Sequence, residues 1–280
     1  MSERHEDGSI DPLIKRRVGE GRGAGRLKDY RPWVRTGDFG SRGFAFRING
    51  WKTERAHHLM SRIEFHFFLL LEWSLGVLDI REQYPLLPIS ETLSIAEQLG
   101  VRHPTHPKTR NPTVVTTDFI ITLQGKLESG EVARSIKQST ELASHRTQEK
   151  LAIEREFLAA RGINWAVVTE LEIPKVVSEN VHWVHPYRNL NDHDFPPSTV
   201  ERVRDMLLTK LASTNRRLSE LTSECDDTIG LESGGSLVIV RHLIATRQLL
   251  VDMTEPILAG QPLKVLQSEI NHETVSKCAA

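Results

Sequence analysis

Apolar side chains recur along the chain in two periods that change over at definable points. Residues 61–73, SRIEFHFFLLLEW, place Ile63, Phe67, Leu70 and Leu71 on one face of a helix, and Ser61 with Glu64 has the spacing of a capping box. Residues 77–88, VLDIREQYPLLP, form an extended run stopped by Pro85 and Pro88. Residues 116–138, TTDFIITLQGKLESGEVARSIKQ, alternate as a β-hairpin, with Asp118 early in the first strand and Lys137 near the end of the second. Helical spacing returns over 147–161 through Leu151, Ile153, Phe157 and Leu158, and Gly162 stands where a helix C-terminus takes a positive φ. INWAVVTE then reads as a buried strand. A hairpin, a crossover helix and a further strand describe an α/β core, a mixed sheet flanked by helices, spanning residues 1–170.

Shorter elements surround this core. A strand pair is expected over 43–48 and 50–52, turned at Asn49-Gly50, and residues 90–113 suggest a surface helix and loop. Residues 171–280 have a different texture: a connector over 185–198, helices over 199–212, 215–225 and 236–245, then strands over 248–252 and 262–266. Helices followed by a hairpin is the order of a winged helix, which docks either DNA or protein. Its third helix offers only Arg241, His242 and Arg247 as polar contacts, which favours a protein interface over base readout.

Composition narrows the class. A chain of 280 residues suits two domains, and 39% hydrophobic with 26% charged residues argues against disorder. The N-terminus is polar and no apolar run is long enough to span a bilayer. Cys225 and Cys278 have no ligand-like spacing, so a reducing cytoplasm is the expected compartment. Net charge is -1, yet residues 15–55 hold twelve Lys/Arg against four acids. With glycines at 19, 21, 23 and 25, this stretch reads as an irregular basic arm in which Tyr30 and Trp33 interleave with cations. Arg22, Arg26, Lys28, Arg31 and Arg35 are its candidate phosphate contacts. His57-His58 lacks metal-ligand spacing and is expected as a surface pair. No Gly-x-x-x-x-Gly-Lys loop or Gly-x-Ser-x-Gly elbow is present, which leaves ATPase and serine-hydrolase chemistry without support.

The hairpin carries the chemistry of interest. Metal-dependent nucleases place an Asp on one strand and an acid-x-Lys on its neighbour; here Ser135 occupies the acid's position, and alternation puts it on the same side as Lys137. Magnesium needs only a few hard oxygen ligands besides waters and the phosphate. Glu64 is the best placed second carboxylate, with the Ser135 hydroxyl and the Ile136 carbonyl as further candidate oxygens. Lys137 would hold water or offset charge on the phosphoryl oxygens. From these residues alone an ordinary reading stays open: Glu64 serves its own helix cap, and Asp118 with Lys137 forms a solvated cross-strand pair contributing at most about 1 kcal/mol.

Several stretches together resemble the TnsA family, the endonuclease subunits of heteromeric bacterial cut-and-paste transposases. They are EGRGAGRLKDYRPW, HHLMSRIEFHFFLLLEW, VLDIREQYPLLP, TTDFIIT and SIKQ, in the family's order and at similar distances. The likeness is strong over residues 16–170 and thinner beyond. It implies a restriction-endonuclease-like catalytic domain followed by a winged-helix-like domain. It also implies Glu64, Asp118 and Lys137 as the catalytic set, with Glu64 and Asp118 binding magnesium, for which manganese substitutes. The implied reaction is hydrolysis at the 5′ ends of a transposon. Partners implied are double-stranded DNA at those ends, a DDE transposase (TnsB-like) that processes the 3′ ends, and an AAA+ ATPase regulator (TnsC-like) on the C-terminal part. The family pattern has Gln where this chain has Ser135 and an acid where it has Ser74; Glu72 or Glu82 is a possible replacement for that acid. Two further readings compete: a catalytically weak assembly module of the same complex, and a stand-alone repair or restriction nuclease.

Overall fold

The computed structural model describes residues 11–38, 45–125 and 130–266. Residues 43–44 of the expected first strand, Arg42, the tip of the central hairpin and Cys278 lie outside the described residues. The chain divides into two compact units, Met1–Ile173 and Pro174–Ala280.

The first unit begins with α1 (Pro12–Gly19), whose N-cap Asp11 accepts the Leu13 N–H. A hairpin of β1 (Phe46–Asn49) and β2 (Ala56–Leu59) follows, then α2 (Arg62–Trp73), β3 (Val77–Pro85) and α3 (Ile89–Gln98). β4 (Thr116–Leu123), β5 (Glu131–Ile136), α4 (His145–Ala159) and β6 (Asn164–Val168) complete it. The main sheet runs β3-β4-β5-β6, antiparallel except for the last pair, which is parallel across the α4 crossover. It is the mixed sheet flanked by helices that the sequence leads one to expect. On one face Phe67 of α2 packs edge-on against Phe119, at 5.5 Å between ring centres. The next residue, Ile120, points the other way and joins Ala133, Ala96 of α3, and Ile153, Phe157 and Leu158 of α4 in one buried cluster. Gly162 takes φ +66 past the end of α4, as expected of a helix terminus.

Four expectations about this unit are corrected. The N-terminal segment is no loose arm, because Tyr30 and Trp33 are each only 3% exposed and pack on β3. Gly23, at φ +81, lies so close to Pro85 that a Cβ there would sit 2.3 Å from the proline ring. The partner of β1 is 56–59 rather than 50–52, since the turn takes up residues 50–55. His57 is fully buried rather than on the surface: its Nδ1 meets Glu82 Oε2 at 2.8 Å and its Nε2 meets Thr53 Oγ1 at 2.6 Å. β6 is an edge strand, half exposed along most of its length, because no strand among the described residues pairs with its outer side.

The second unit consists of α5 (Lys175–Val184), α6 (Pro197–Ser213), α7 (Leu218–Ile229) and α8 (Gly235–Ala245). Val181, Val203, Leu207, Leu221, Ile239, Val240 and Leu243 fill its core. Asp226 of α7 caps α8, accepting the Gly234 and Ser236 N–H groups at 2.8 and 2.7 Å. The two strands expected at the C-terminal end reduce to one antiparallel bridge, Val251↔Val265. Among the described residues no helix is long and apolar enough to cross a membrane.

Candidate active site

Glu64 enters the site from the first turn of α2. The Ser61 hydroxyl accepts the Glu64 N–H at 3.2 Å. In return the carboxylate accepts from the Ser61 hydroxyl and the Met60 N–H, both at 2.9 Å. Ser61 therefore caps the helix, while the Glu64 carboxylate reaches back to the Ser61 hydroxyl and the residue before it rather than to the Ser61 N–H; this does not exhaust Glu64, since Gln83 of β3 donates from Nε2 to Oε2 at 3.3 Å.

Asp118 stands where the β4–β5 ladder ends. Phe119↔Arg134 is the last backbone pair, and beyond it the Ile136 N–H turns to Asp118 Oδ2 at 2.6 Å. The same oxygen accepts from Lys137 Nζ at 2.9 Å, and Nζ also donates to the Ile136 carbonyl at 2.8 Å. Splaying of the hairpin thus creates the carboxylate–ammonium pair.

Charge couples this pair to two further carboxyl groups. Burial, then repulsion from Asp118, pushes the Glu64 pKa up to about 7, against the Met60 and Ser61 hydrogen bonds and the attraction of Lys137. Glu154 of α4 is likewise raised to about 7, by burial and then Asp118, against the Ser135 hydroxyl, Lys137 and the Trp165 indole. Burial works against the Lys137 ammonium, but Asp118 outweighs it with help from Glu154 and Glu64, so its pKa lies above the usual value. One cation among three carboxyl groups leaves the cluster short of positive charge.

Glu154 has no place in the expected site, although a signal for it exists. It lies three residues after Leu151 and four before Leu158, in the middle of the apolar stripe of α4. Its neighbour Ser135 is fully buried, its hydroxyl donates to Glu154 Oε2, and it accepts the Trp165 indole N–H at 2.9 Å. The Ser135 hydroxyl is thus engaged by α4 and β6, and through Glu154 it adjoins the Asp118–Lys137 pair. Glu72 and Glu82, the carboxylates considered for the acid absent at Ser74, are both engaged within the protein. Glu82 is taken up by Arg55, His57 and the His58 N–H. Glu72 accepts the Trp51 N–H and lies two helical turns past Glu64, about 12 Å along the axis.

Among the described residues no three His, Cys, Asp or Glu side chains form a ready ligand group. Glu64 and Asp118 nevertheless suit a hard divalent cation that keeps several waters and takes its other ligands from a phosphate. A buried carboxyl group whose proton affinity is raised by a neighbouring carboxylate is the kind of donor such a cation relieves. The Ile136 carbonyl, the third candidate, is occupied by Lys137 Nζ.

Of the candidate DNA contacts, Arg22 is corrected. Its guanidinium is 7% exposed and binds Glu20, Asp38 and the Trp33 carbonyl, so it fastens the N-terminal segment. Arg26, Lys28 and Arg31 are exposed and Arg35 is half-buried. Arg26 pairs with Glu131 at 2.7 Å, and Arg31 donates to the Glu20 carbonyl at 2.8 Å.

Comparison with known proteins now decides the family. Residues 75–170 match the family model for the TnsA-like endonuclease N terminal, and residues 172–253 match that for the TnsA endonuclease C terminal. The chain belongs to the TnsA endonuclease family. It is 37% identical over 241 residues to the transposon Tn7 transposition protein TnsA of Escherichia coli, covering 83% of this chain and 82% of that protein. As a TnsA-family member it is an endonuclease subunit of a transposition system. The TnsA N-terminal match contains Asp118, Lys137 and Glu154, and Glu64 precedes it. The TnsA C-terminal match takes in all four helices of the second unit.

Proposed function

We propose that this transposition endonuclease hydrolyses phosphodiesters at the 5′ ends of its element, using magnesium, or manganese in its place, held by Glu64 and Asp118. The observation that carries the reading is the electrostatic coupling of Glu64, Asp118 and Lys137, three residues from α2, β4 and the end of β5. When bound, the ion would supply Lewis acidity at the phosphoryl group and make water a stronger acid. Lys137, kept charged by Asp118, sets an ammonium against the non-bridging oxygens, where charge builds up in the transition state. Asp118 aims Lys137 and is itself held by the Ile136 N–H. The Ser61 and Met60 groups orient Glu64. Glu154 adds negative charge behind Lys137 and helps keep it protonated.

DNA would be met by the exposed cations Arg26, Lys28 and Arg31 together with Arg35. A DDE transposase would cut and join the 3′ ends. The second unit, read as a winged-helix-like module because three helices lead to the Val251–Val265 bridge, would hold an AAA+ ATPase regulator. Purified chain, partners, transposon-end DNA and magnesium should yield nicks at the 5′ ends; normal nicking by Asp118→Ala or Lys137→Ala would sink the assignment. Removing residues 171–280 should abolish stimulation by partners more than DNA affinity. A second reading, a catalytically weak assembly module, is favoured by Ser135, which has no acid of its own to offer. Calorimetric titration with manganese separates the two, because an assembly module has no need of a cation at Glu64 and Asp118.

A further inference from the structure

Gln83 is a non-glycine residue with φ +50 in the middle of β3. Its neighbours pair regularly, Glu82 with Phe119 and Tyr84 with Thr117, so Gln83 stands across from Asp118. A left-handed backbone inside a strand is costly for a residue with a Cβ, and it persists where the surroundings over-determine it. Here the N-terminal segment does so. The Trp33 N–H donates to the Gln83 carbonyl at 3.2 Å, and the Tyr30 hydroxyl donates to the Glu82 carbonyl at 3.0 Å. Both donors are buried, and Gly23 brings the same segment against Pro85 at the end of β3.

The strain coincides with a re-aimed side chain. Gln83 is 5% exposed, and its amide reaches Glu64 Oε2. The other two donors to Glu64, Ser61 and Met60, belong to the start of its own helix, and any capped helix would supply their like. Gln83 alone of the three refers Glu64 to the sheet, at the position facing Asp118. An amide suits the task chemically. Lys or Arg would cancel the negative charge a divalent cation needs, and Glu or Asp would repel Glu64, whereas a neutral N–H orients the carboxylate and leaves its charge available.

We propose that Gln83 is a positioning residue: held in a left-handed conformation by the Tyr30–Trp33 segment, it fixes the Glu64 carboxylate relative to Asp118 in the geometry that binds the divalent cation. The inference rests on Glu64 and Asp118 being the cation pair. It makes the N-terminal segment a support of the active site as well as part of the DNA-facing surface.

The test uses Gln83→Gly, which removes the amide but adopts φ +50 without strain, and Gln83→Asn, which tolerates that backbone with an amide one methylene short. Manganese is titrated calorimetrically into full-length protein without DNA, beside thermal denaturation and nicking kinetics. Both variants should melt at or above the wild-type temperature and bind manganese about 10- to 100-fold more weakly. They should lose kcat while KM for DNA holds, with nicking recovering at high manganese. Wild-type manganese affinity in Gln83→Gly would overturn the proposal, and so would a lowered melting temperature with affinity intact. Failure of the underlying reading looks different, since wild-type protein would then bind no manganese, or Asp118→Ala would bind it as well as wild type.

Discussion

Lys137 Nζ and Asp118 Oδ2 lie 2.9 Å apart at the point where the β4–β5 hairpin gives up its backbone pairing. The lysine side chain is 27% exposed and the aspartate 13%, so the pair opens to a substrate while staying largely sheltered. An exposed cross-strand pair would contribute little, but this one also closes the strand end through the Ile136 N–H and carries a lysine whose charge is reinforced.

Replacing either partner should therefore cost activity well beyond stability. Lys137→Ala is expected to slow 5′-end nicking about 100- to 1,000-fold, the loss typical of removing one donor to developing charge. Because the Lys137 pKa lies above its usual value, the ammonium stays charged throughout neutral and mildly alkaline pH. Nicking rates should thus show no alkaline fall due to this residue between about pH 8 and 9, which a pH–rate profile of the wild type would reveal.

Metal binding should depend on pH at the acid end. Glu64 must be ionised to serve as a ligand, and without metal its pKa is about 7. Manganese affinity should rise as pH increases towards that value and level off above it, with protons released on binding. Calorimetry in buffers of different ionisation enthalpy counts those protons; no release near pH 6 would contradict the assignment of Glu64.

Folding stability without metal should move oppositely. The folded-state pKa of Glu154 is raised from 4.5 to about 7, so the folded protein holds that proton more tightly than the unfolded chain does. The resulting stabilisation is complete below about pH 4.5 and is lost as pH rises through 7, an effect on the order of 3 kcal/mol. Glu154→Gln should flatten this fall in a urea-denaturation series across the same pH range. Ser135→Ala, which removes a donor from a buried carboxyl group, should lower stability at pH 7 by about 1–3 kcal/mol.

Arg22 and Lys28, neighbours in the basic stretch, should behave differently when removed. Arg22→Ala leaves Asp38 without its closest partner and should cost stability by about 1–3 kcal/mol, with little change in the salt dependence of DNA binding. Lys28→Ala should leave the melting temperature alone and reduce the slope of log affinity against log salt by about one unit, if phosphate meets it. Fluorescence anisotropy at several salt concentrations, beside thermal melts, distinguishes the two outcomes.

What could be read from the sequence was local, and what could not was long-range. α2 is plain because its periodicity and its Ser61 cap agree, and Glu64, the third residue past that cap, is also the candidate site carboxylate. The hairpin is equally plain from alternation, yet the partners of Ser135 are not, because the carboxyl group and the indole that engage its hydroxyl come from α4 and β6, further along the chain. The four glycines of the N-terminal segment suggested looseness; the contact of Gly23 with Pro85, more than sixty residues away, is what makes a small residue necessary there. β6 reads as buried because its side chains are apolar, and sequence alone does not reveal that it lies at the edge of the sheet among the described residues.

Glu154, the carboxyl group coupled to Asp118 and Lys137 from α4, ties the spacing of the candidate site to the fit between helix and sheet. The Ile136 N–H and Lys137 hold Asp118 at the strand end, while Glu154 stands on α4, whose approach to the strands is set by Ile153, Phe157 and Leu158. If Glu154 helps keep Lys137 charged as proposed, volume changes among those core side chains would reach the site through α4, without any contact to DNA.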